Sequence, residues 1–199
     1  MTIRTGGPWG EVVARPPGAA VASDDAAAAR LLADPTGAPV VVTGGDLART
    51  VGGPSSGDTV RRYPVDLLRV LADGRSATAL AHVVAHRRGP LGWWRGPLRA
   101  VMNVGSRGDW DVAPRAHPND GRLDAVEVDG SMSMRHRRHA RRRLRTGTHV
   151  PHPSISISRA TEVTWRFDRP LGLWIDGVAT GTVRDLHVRI DPDGAIVYV

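Results

Sequence analysis

The most concentrated chemistry in this 199-residue chain is an arginine-rich run, MRHRRHARRRLR, at residues 134–145. Its seven arginines are Arg135, Arg137, Arg138, Arg141, Arg142, Arg143 and Arg145. The formal net charge of the chain is +7, so the remainder of the sequence is close to neutral. Three interpretations are open: a site for nucleic-acid phosphates, a surface for anionic lipid headgroups, and a solvated basic face.

A tryptophan pair adds to the second interpretation. Trp93 and Trp94 directly precede Arg95, and tryptophan beside arginine suits the headgroup zone of a bilayer. The alternative is that the two rings cover one end of the hydrophobic core. The lipid or anion surface predicted from sequence therefore comprises the seven arginines with Trp93 and Trp94.

Three glycine-containing turns are further candidates. Thr43-Gly44-Gly45-Asp46 follows three valines and precedes a helical pattern, so N–H groups at the helix start could face an anion. Asn119-Asp120-Gly121 has the residue types of a tight turn. Asp176-Gly177 lies between apolar segments and is typical of a hairpin turn.

Read in order, TGGDLARTVGGP (43–54), HPNDGRLDAVEV (117–128) and LWIDGV (173–178) resemble the diacylglycerol-kinase and sphingosine-kinase-like family of lipid kinases. Members carry GTGND-(F/L)-AR-x-LG-x-P, then a DDG-x-LDV-like turn and strand, then DGE. The resemblance covers residues 40–199 and implies a β-sandwich-like C-terminal domain that follows a nucleotide-binding domain.

The resemblance also implies a set of site residues. Asp176 corresponds to the general base for the lipid hydroxyl. Nucleotide binding falls on Thr43, Gly44, Gly45 and Asp46, and a magnesium site falls on His117, Asp120 and the carbonyl of Arg122. A histidine nitrogen is a poor magnesium ligand, so the alternative for the last group is a plain turn.

Two departures from the family pattern fall where the chemistry would be. Val178 replaces the glutamate of DGE, and Ala22-Ser23-Asp24-Asp25-Ala26 stands where members carry GGDGT. That segment lacks the glycines that let backbone N–H groups approach a phosphate, and its second aspartate adds negative charge there. The sequence thus predicts a degraded nucleotide site.

The predicted fold is α+β and mainly β. A small α/β remnant of the nucleotide domain is expected at residues 1–54, and a β-sandwich-like lipid-kinase domain at residues 55–199. Helices are expected at 24–32, 46–51 and 132–146. Strands are expected at 11–14, 39–43, 65–71, 79–86, 98–103, 123–128, 154–158, 162–167, 171–175, 186–190 and 195–199.

Composition narrows the class of protein. The chain has no cysteine, which excludes disulfides and thiolate metal sites. No window reaches the roughly 18 apolar residues of a membrane span, and residues 1–10 lack the pattern of a secretory signal. We expect a cytoplasmic protein, peripheral at the membrane if it binds lipid.

Three functions follow. The leading hypothesis is a non-catalytic lipid-kinase homologue that binds lipid or a membrane surface, or acts in regulation, with no required cofactor. The first alternative is an active lipid kinase of the diacylglycerol or sphingosine type that uses ATP and magnesium. The second is an arginine-rich nucleic-acid-binding protein. Candidate partners are an anionic membrane or lipid, a second copy of the chain and an intact kinase, with nucleic acid the weaker candidate.

Overall fold

The computed structural model describes residues 9–34, 37–55 and 57–199, and strands dominate it. The strands are β1 (Glu11–Ala14), β2 (Ala20–Ala22), β3 (Val40–Val42), β4 (Thr59–Ala72), β5 (Arg75–Ala79), β6 (His82–His86), β7 (Leu98–Met102), β8 (Ser106–Arg107), β9 (Trp110–Asp111), β10 (Leu123–Val128), β11 (Ile155–Ala160), β12 (Glu162–Ile175) and β13 (Val178–Tyr198). The helices are α1 (Asp25–Leu32), α2 (Gly45–Thr50) and α3 (Met134–Arg143), with a 3-10 turn at Leu144–Thr146.

Eleven strands form one sheet, whose main path is β1-β4-β13-β12-β6-β7-β10-β11, with β5 on β4 and the pair β2-β3 on β13. Strands far apart in this order share a core, as Leu68 of β4, Leu123 of β10 and Val183 of β13 show. The sheet therefore folds over on itself, which confirms the mainly β, sandwich-like prediction.

The N-terminal elements complete the same sheet. Strands β2 and β3 pair in parallel with each other, and β3 pairs in parallel with the end of β13. A second core cluster joins Ala28 of α1 and Leu47 of α2 to Tyr63 and Val197. The two-unit division at residue 54 stays a prediction, and residues 1–8, 35 and 36 of its first unit lie outside the described residues.

Several expected strand ends are wrong. The expected strands at 162–167 and 171–175 are parts of β12, and those at 186–190 and 195–199 are parts of β13. Shifts of register, not chain reversals, absorb the polar residues between them. The expected strand 79–86 instead divides at Leu80 and Ala81 into β5 and β6.

Helix α3 lies within the expected range 132–146. Ser133 caps it by accepting a hydrogen bond from the His136 N–H at 3.3 Å, and Gly147, at φ +63°, ends the following turn. Arg137 and Ala140 are its buried residues, and Met134 is 44% exposed. Within the described ranges, no helix is long and apolar enough to cross a bilayer.

A buried acid on β10 gives a testable pH dependence. Asp124 is 2% exposed, and burial raises its pKa to about 6 despite Arg159, whose Nε lies 3.9 Å from the carboxylate. The folded chain keeps this proton up to about pH 6, whereas the unfolded chain loses it near the ordinary value of 3.8. Between these values the folded form binds more protons, so this group lowers stability as the pH rises.

We therefore expect Asp124→Asn to gain stability relative to the wild type by about 1.5 kcal/mol between pH 5 and pH 8. Urea unfolding at several pH values measures this difference. Asp109→Asn, at an exposed acid, is the matched control. A difference between Asp124→Asn and wild type that stays constant with pH would contradict the assignment.

Candidate functional site

The space between α3 and the sheet holds an apolar cavity of about 260 Å³. Its floor is built from small and medium apolar side chains of β6, β7, β10 and β11, and its roof from α3 and the turn after it. The floor includes Val84, Ala100, Met102, Val126 and Ile155, and the roof includes Ala140 and Leu144. We call this space the α3 cavity.

Three tryptophans form the rim of the α3 cavity. Trp93 and Trp94 come from the segment between β6 and β7, residues 87–97, which we call the tryptophan loop, and Trp110 comes from β9. The loop turns tightly at Gly92, where an added Cβ would lie 1.9 Å from the Arg87 carbonyl oxygen. Only glycine lets the backbone approach so closely, so Gly92 positions both tryptophans.

A buried guanidinium joins α3 to the tryptophan loop. Arg137 is 5% exposed and donates hydrogen bonds to the carbonyls of Met132 at 3.2 Å, Trp93 at 3.2 Å and Asp129 at 2.8 Å, and to that of Gly96. Burial lowers the pKa of Arg137. The sequence placed this arginine on an anion-binding surface, whereas its donors are engaged with backbone carbonyls.

Most of the other predicted arginines form a common open surface. Arg135, Arg138, Arg141, Arg142 and Arg145 line it with Met134, Trp94 and Trp110, and we call it the arginine basin. The guanidinium carbon of Arg141 lies 5.3 Å from the ring centroid of Trp94 and 5.2 Å from that of Trp110. Arg141 also lines the α3 cavity, so the basin and the cavity meet at this side chain. Arg143 lines neither.

Arg107 and Trp110 belong to the same rim and were missed in the sequence. They pair across the β8-β9 hairpin, and the Arg107 guanidinium carbon lies 5.2 Å from the Trp93 ring centroid. The signal was an arginine and a tryptophan flanking the turn Gly108-Asp109. That arrangement resembles Trp94-Arg95 and was detectable before the fold was known.

The glycine turn at Thr43–Asp46 forms the predicted strand, turn and helix start. Its helix N-terminus is already occupied by a side chain, because Asp25 accepts hydrogen bonds from the N–H groups of Asp46 at 2.6 Å and Leu47 at 3.1 Å. Burial raises the pKa of Asp25 to about 6. An internal carboxylate thus takes the place that an anion would need.

Asp46 is part of a buried polar cluster. Its Oδ1 accepts hydrogen bonds from the Gly108 N–H at 2.8 Å and from Arg49 at 3.0 Å, and its Oδ2 lies 3.2 Å from Nε2 of His82. Burial pushes the pKa of Asp46 upward, but hydrogen bonds from His82 and Gly108 and the charge of Arg49 outweigh it and leave the pKa low. Asp46 is therefore an ionised group with its partners in place.

Asp176 lies beside this cluster, at the turn between β12 and β13. Asp176 and Gly177 have φ values of +46° and +82°, as a two-residue hairpin turn requires. The carboxylate accepts hydrogen bonds from three consecutive N–H groups, those of Leu80 at 2.8 Å, Ala81 at 2.9 Å and His82 at 2.9 Å. Burial raises its pKa. The side chain thereby holds the link between β5 and β6 against the turn.

Two of the three predicted magnesium ligands, His117 and Asp120, have other partners. His117 Nδ1 accepts a hydrogen bond from the Asn119 N–H at 3.2 Å. Asp120 accepts one from the Arg122 N–H at 3.0 Å and pairs with Arg159 through its other oxygen. Across the described part of the chain, no group of three acidic or histidine side chains is placed to hold a metal ion. A histidine nitrogen is a poor magnesium ligand, and the magnesium site at His117, Asp120 and the Arg122 carbonyl stays a prediction.

A fully buried acid, Asp66, organises the same turn. It is 0% exposed and accepts hydrogen bonds from the N–H groups of Gly121 at 2.7 Å and Asp193 at 2.9 Å. Burial raises its pKa to about 6. The turn at residues 117–122 is thus anchored by a carboxylate of β4 that the sequence analysis did not identify.

Solved structures with the same fold are known. Three chains described as putative diacylglycerol kinases or a diacylglycerol kinase from Bacillus anthracis str. Sterne match with TM-scores of 0.65, 0.54 and 0.58 at 13%, 15% and 12% identity. The matches cover 90%, 80% and 80% of this chain and 76%, 66% and 69% of those chains. At such identities they establish the fold.

Sequence comparison defines the relationship. No curated protein matches the chain. The family described as the YegS C-terminal NAD kinase beta sandwich-like domain matches residues 57–198, which include the α3 cavity, the arginine basin and Asp176. The chain therefore belongs to the family of the YegS C-terminal NAD kinase beta sandwich-like domain.

Proposed function

We propose that this protein binds a lipid in the α3 cavity and does not itself transfer a phosphoryl group. The observation that carries the proposal is the cavity of about 260 Å³, with apolar floor and roof and a rim of three tryptophans. Ligand pockets are concave, mostly apolar and supplied with a few polar groups, usually with roughly 300–1,000 Å³ of space. The α3 cavity has this character, and its volume is just below that range.

The hydrogen bonds of Asp25 and Asp176 support the non-catalytic part of the proposal. Asp25 already accepts the N–H groups at the start of α2, so a nucleotide phosphate would have to displace a buried carboxylate. Both oxygens of Asp176 accept backbone hydrogen bonds. A general base must reach the hydroxyl that it deprotonates, and here that role competes with holding the turn.

The arginine basin extends the proposal to a membrane surface. Five arginines and Met134 face solvent beside the cavity rim, and each basic residue close to an anionic bilayer contributes roughly 1 kcal/mol of attraction. The basin would hold the protein peripherally at the surface from which the cavity takes its lipid. Nucleic acid remains the competing partner for the same charges.

Filling the cavity should weaken lipid binding. Ala140 is buried in the roof, and Ala140→Phe would place a ring where an acyl chain is proposed to lie, so we expect the affinity to fall at least about tenfold. Quenching of tryptophan fluorescence by fatty acids and monoacylglycerols with brominated chains measures it, because three tryptophans line the cavity.

The matched control is His139→Phe, which adds the same ring at the exposed neighbouring position of α3. It should bind as the wild type does. Equal binding by the wild type, Ala140→Phe and His139→Phe would exclude the α3 cavity as the lipid site.

Nucleotide should not bind to the purified chain. Calorimetric titration with ATP and magnesium is expected to give no heat of binding, because Asp25 occupies the start of α2. Lipid phosphorylation by the pure protein, lost in Asp176→Asn while the variant stays folded by circular dichroism, would contradict the non-catalytic proposal.

Membrane attachment should depend on the basin. The protein should co-sediment with vesicles of phosphatidylcholine and phosphatidylglycerol. The combined changes Arg138→Gln, Arg142→Gln and Arg145→Gln should weaken the affinity for these vesicles by about a hundredfold, at roughly 1 kcal/mol for each arginine. A triple change of Arg15, Arg30 and Arg166 to Gln, at exposed arginines outside the basin, is the control. Binding to duplex nucleic acid in preference to these vesicles would overturn the membrane assignment.

A further inference from the structure

Resting on the proposed lipid binding, we infer that the α3 cavity selects an anionic single-chain amphiphile, with its chain among the apolar walls and its carboxylate or phosphate monoester between Arg107 and Arg141. This assigns a headgroup charge and a chain number to the ligand. Both follow from the rim and the walls of the cavity.

Arg107 and Arg141, the two rim arginines, have no acidic partner at contact distance within the described residues. Among the described residues, no carboxylate forms an ion pair with Arg107 or Arg141, whereas Arg49, Arg69, Arg99 and others do have such partners. The Nε of Arg107 is also buried without a hydrogen-bond partner in the described part of the chain. Each guanidinium carbon lies 5.2 Å from the centroid of a tryptophan ring. The ring does not neutralise the guanidinium charge, and it leaves N–H groups of the guanidinium available to an anion.

The partial burial of Arg107 strengthens the contact that its guanidinium would make with an anion. Burial is the main influence on the pKa of Arg107 and lowers it, and Asp46 offsets part of the effect. Asp46 is already paired with Arg49 and lies next to His82. A partly desolvated guanidinium gains more from a charge-assisted hydrogen bond than an exposed one does. An anionic headgroup would therefore bind Arg107 more strongly than it would bind an exposed arginine.

The described residues that line the α3 cavity carry no negative charge. The cavity has room for about one acyl chain. No aspartate or glutamate is among the described residues that line the cavity. Arg137, the third arginine in the wall, already donates to four carbonyls, which leaves Arg107 and Arg141 for the headgroup. A volume of about 260 Å³ suits one acyl chain better than two, given that drug-sized ligands need roughly 300–1,000 Å³.

The test compares three ligands with one chain length. Dodecanoate, dodecyl phosphate and the neutral monododecanoyl glycerol are titrated calorimetrically into the full chain, each below the concentration at which it aggregates. We expect one or both anions to bind at least about tenfold more tightly than the neutral ester, as charge-assisted contacts to arginine would give. The tighter of the two anions identifies the headgroup as a carboxylate or a phosphate monoester.

Variants assign the preference to the rim. Arg141→Met, at an exposed position, and Arg107→Met should each bring the anionic and neutral affinities together while the neutral ester still binds. Arg107→Lys keeps the charge and should keep the preference. Arg143→Met, on α3 but outside both surfaces, is the matched control and should behave as the wild type.

The outcomes separate this inference from the proposed function. Equal binding of all three ligands would overturn the charge selectivity and leave lipid binding intact. If none of the three ligands binds, the proposed lipid binding itself is overturned. A preference for anions that survives both Arg→Met changes would remove Arg107 and Arg141 from the headgroup site.

Discussion

The architecture depends on one continuous strand. Strand β13 is 21 residues long, and it pairs with β12 through its first part, with β4 through most of its length and with β3 at its end. A register shift between Asp191 and Ala195 lets it bend while it keeps β4 as partner. The buried carboxylate of Asp66 accepts the N–H of Asp193 at this shift. The sandwich-like part and the N-terminal helices are consequently built on a common backbone element.

Carboxylates inside this protein serve the backbone. Asp25 holds the start of α2, Asp66 holds the turn before β10 and the irregular part of β13, and Asp176 holds the link from β5 to β6. Burial raises the pKa of each, and the hydrogen bonds from backbone N–H groups oppose that rise. Asp176, the acidic residue that the lipid-kinase resemblance suggests for catalysis, therefore also has a clear structural role in this chain.

Local patterns in the sequence identified the fold and several turns. The strand at 123–128, the helix start after Gly44 and the Asp176-Gly177 hairpin all lie where residue type and spacing predicted them, because neighbours in sequence decide such features. Contacts between residues far apart in the sequence could not be predicted from these local patterns. Asp25 meets the start of α2 across 21 positions, and Arg137 is indistinguishable in sequence from the arginines around it. Its burial depends on carbonyls of the tryptophan loop that lie 44 and 41 positions away in the sequence.

The bonds of Arg137 determine how the α3 cavity can open. Its four acceptors lie in the tryptophan loop and in the segment between β10 and α3, so roof and rim are joined through a single guanidinium. Lifting α3 alone would strand a buried charge, a cost of several kcal/mol. Any displacement of α3 would therefore have to carry the tryptophan loop with it, because one side chain ties the two together.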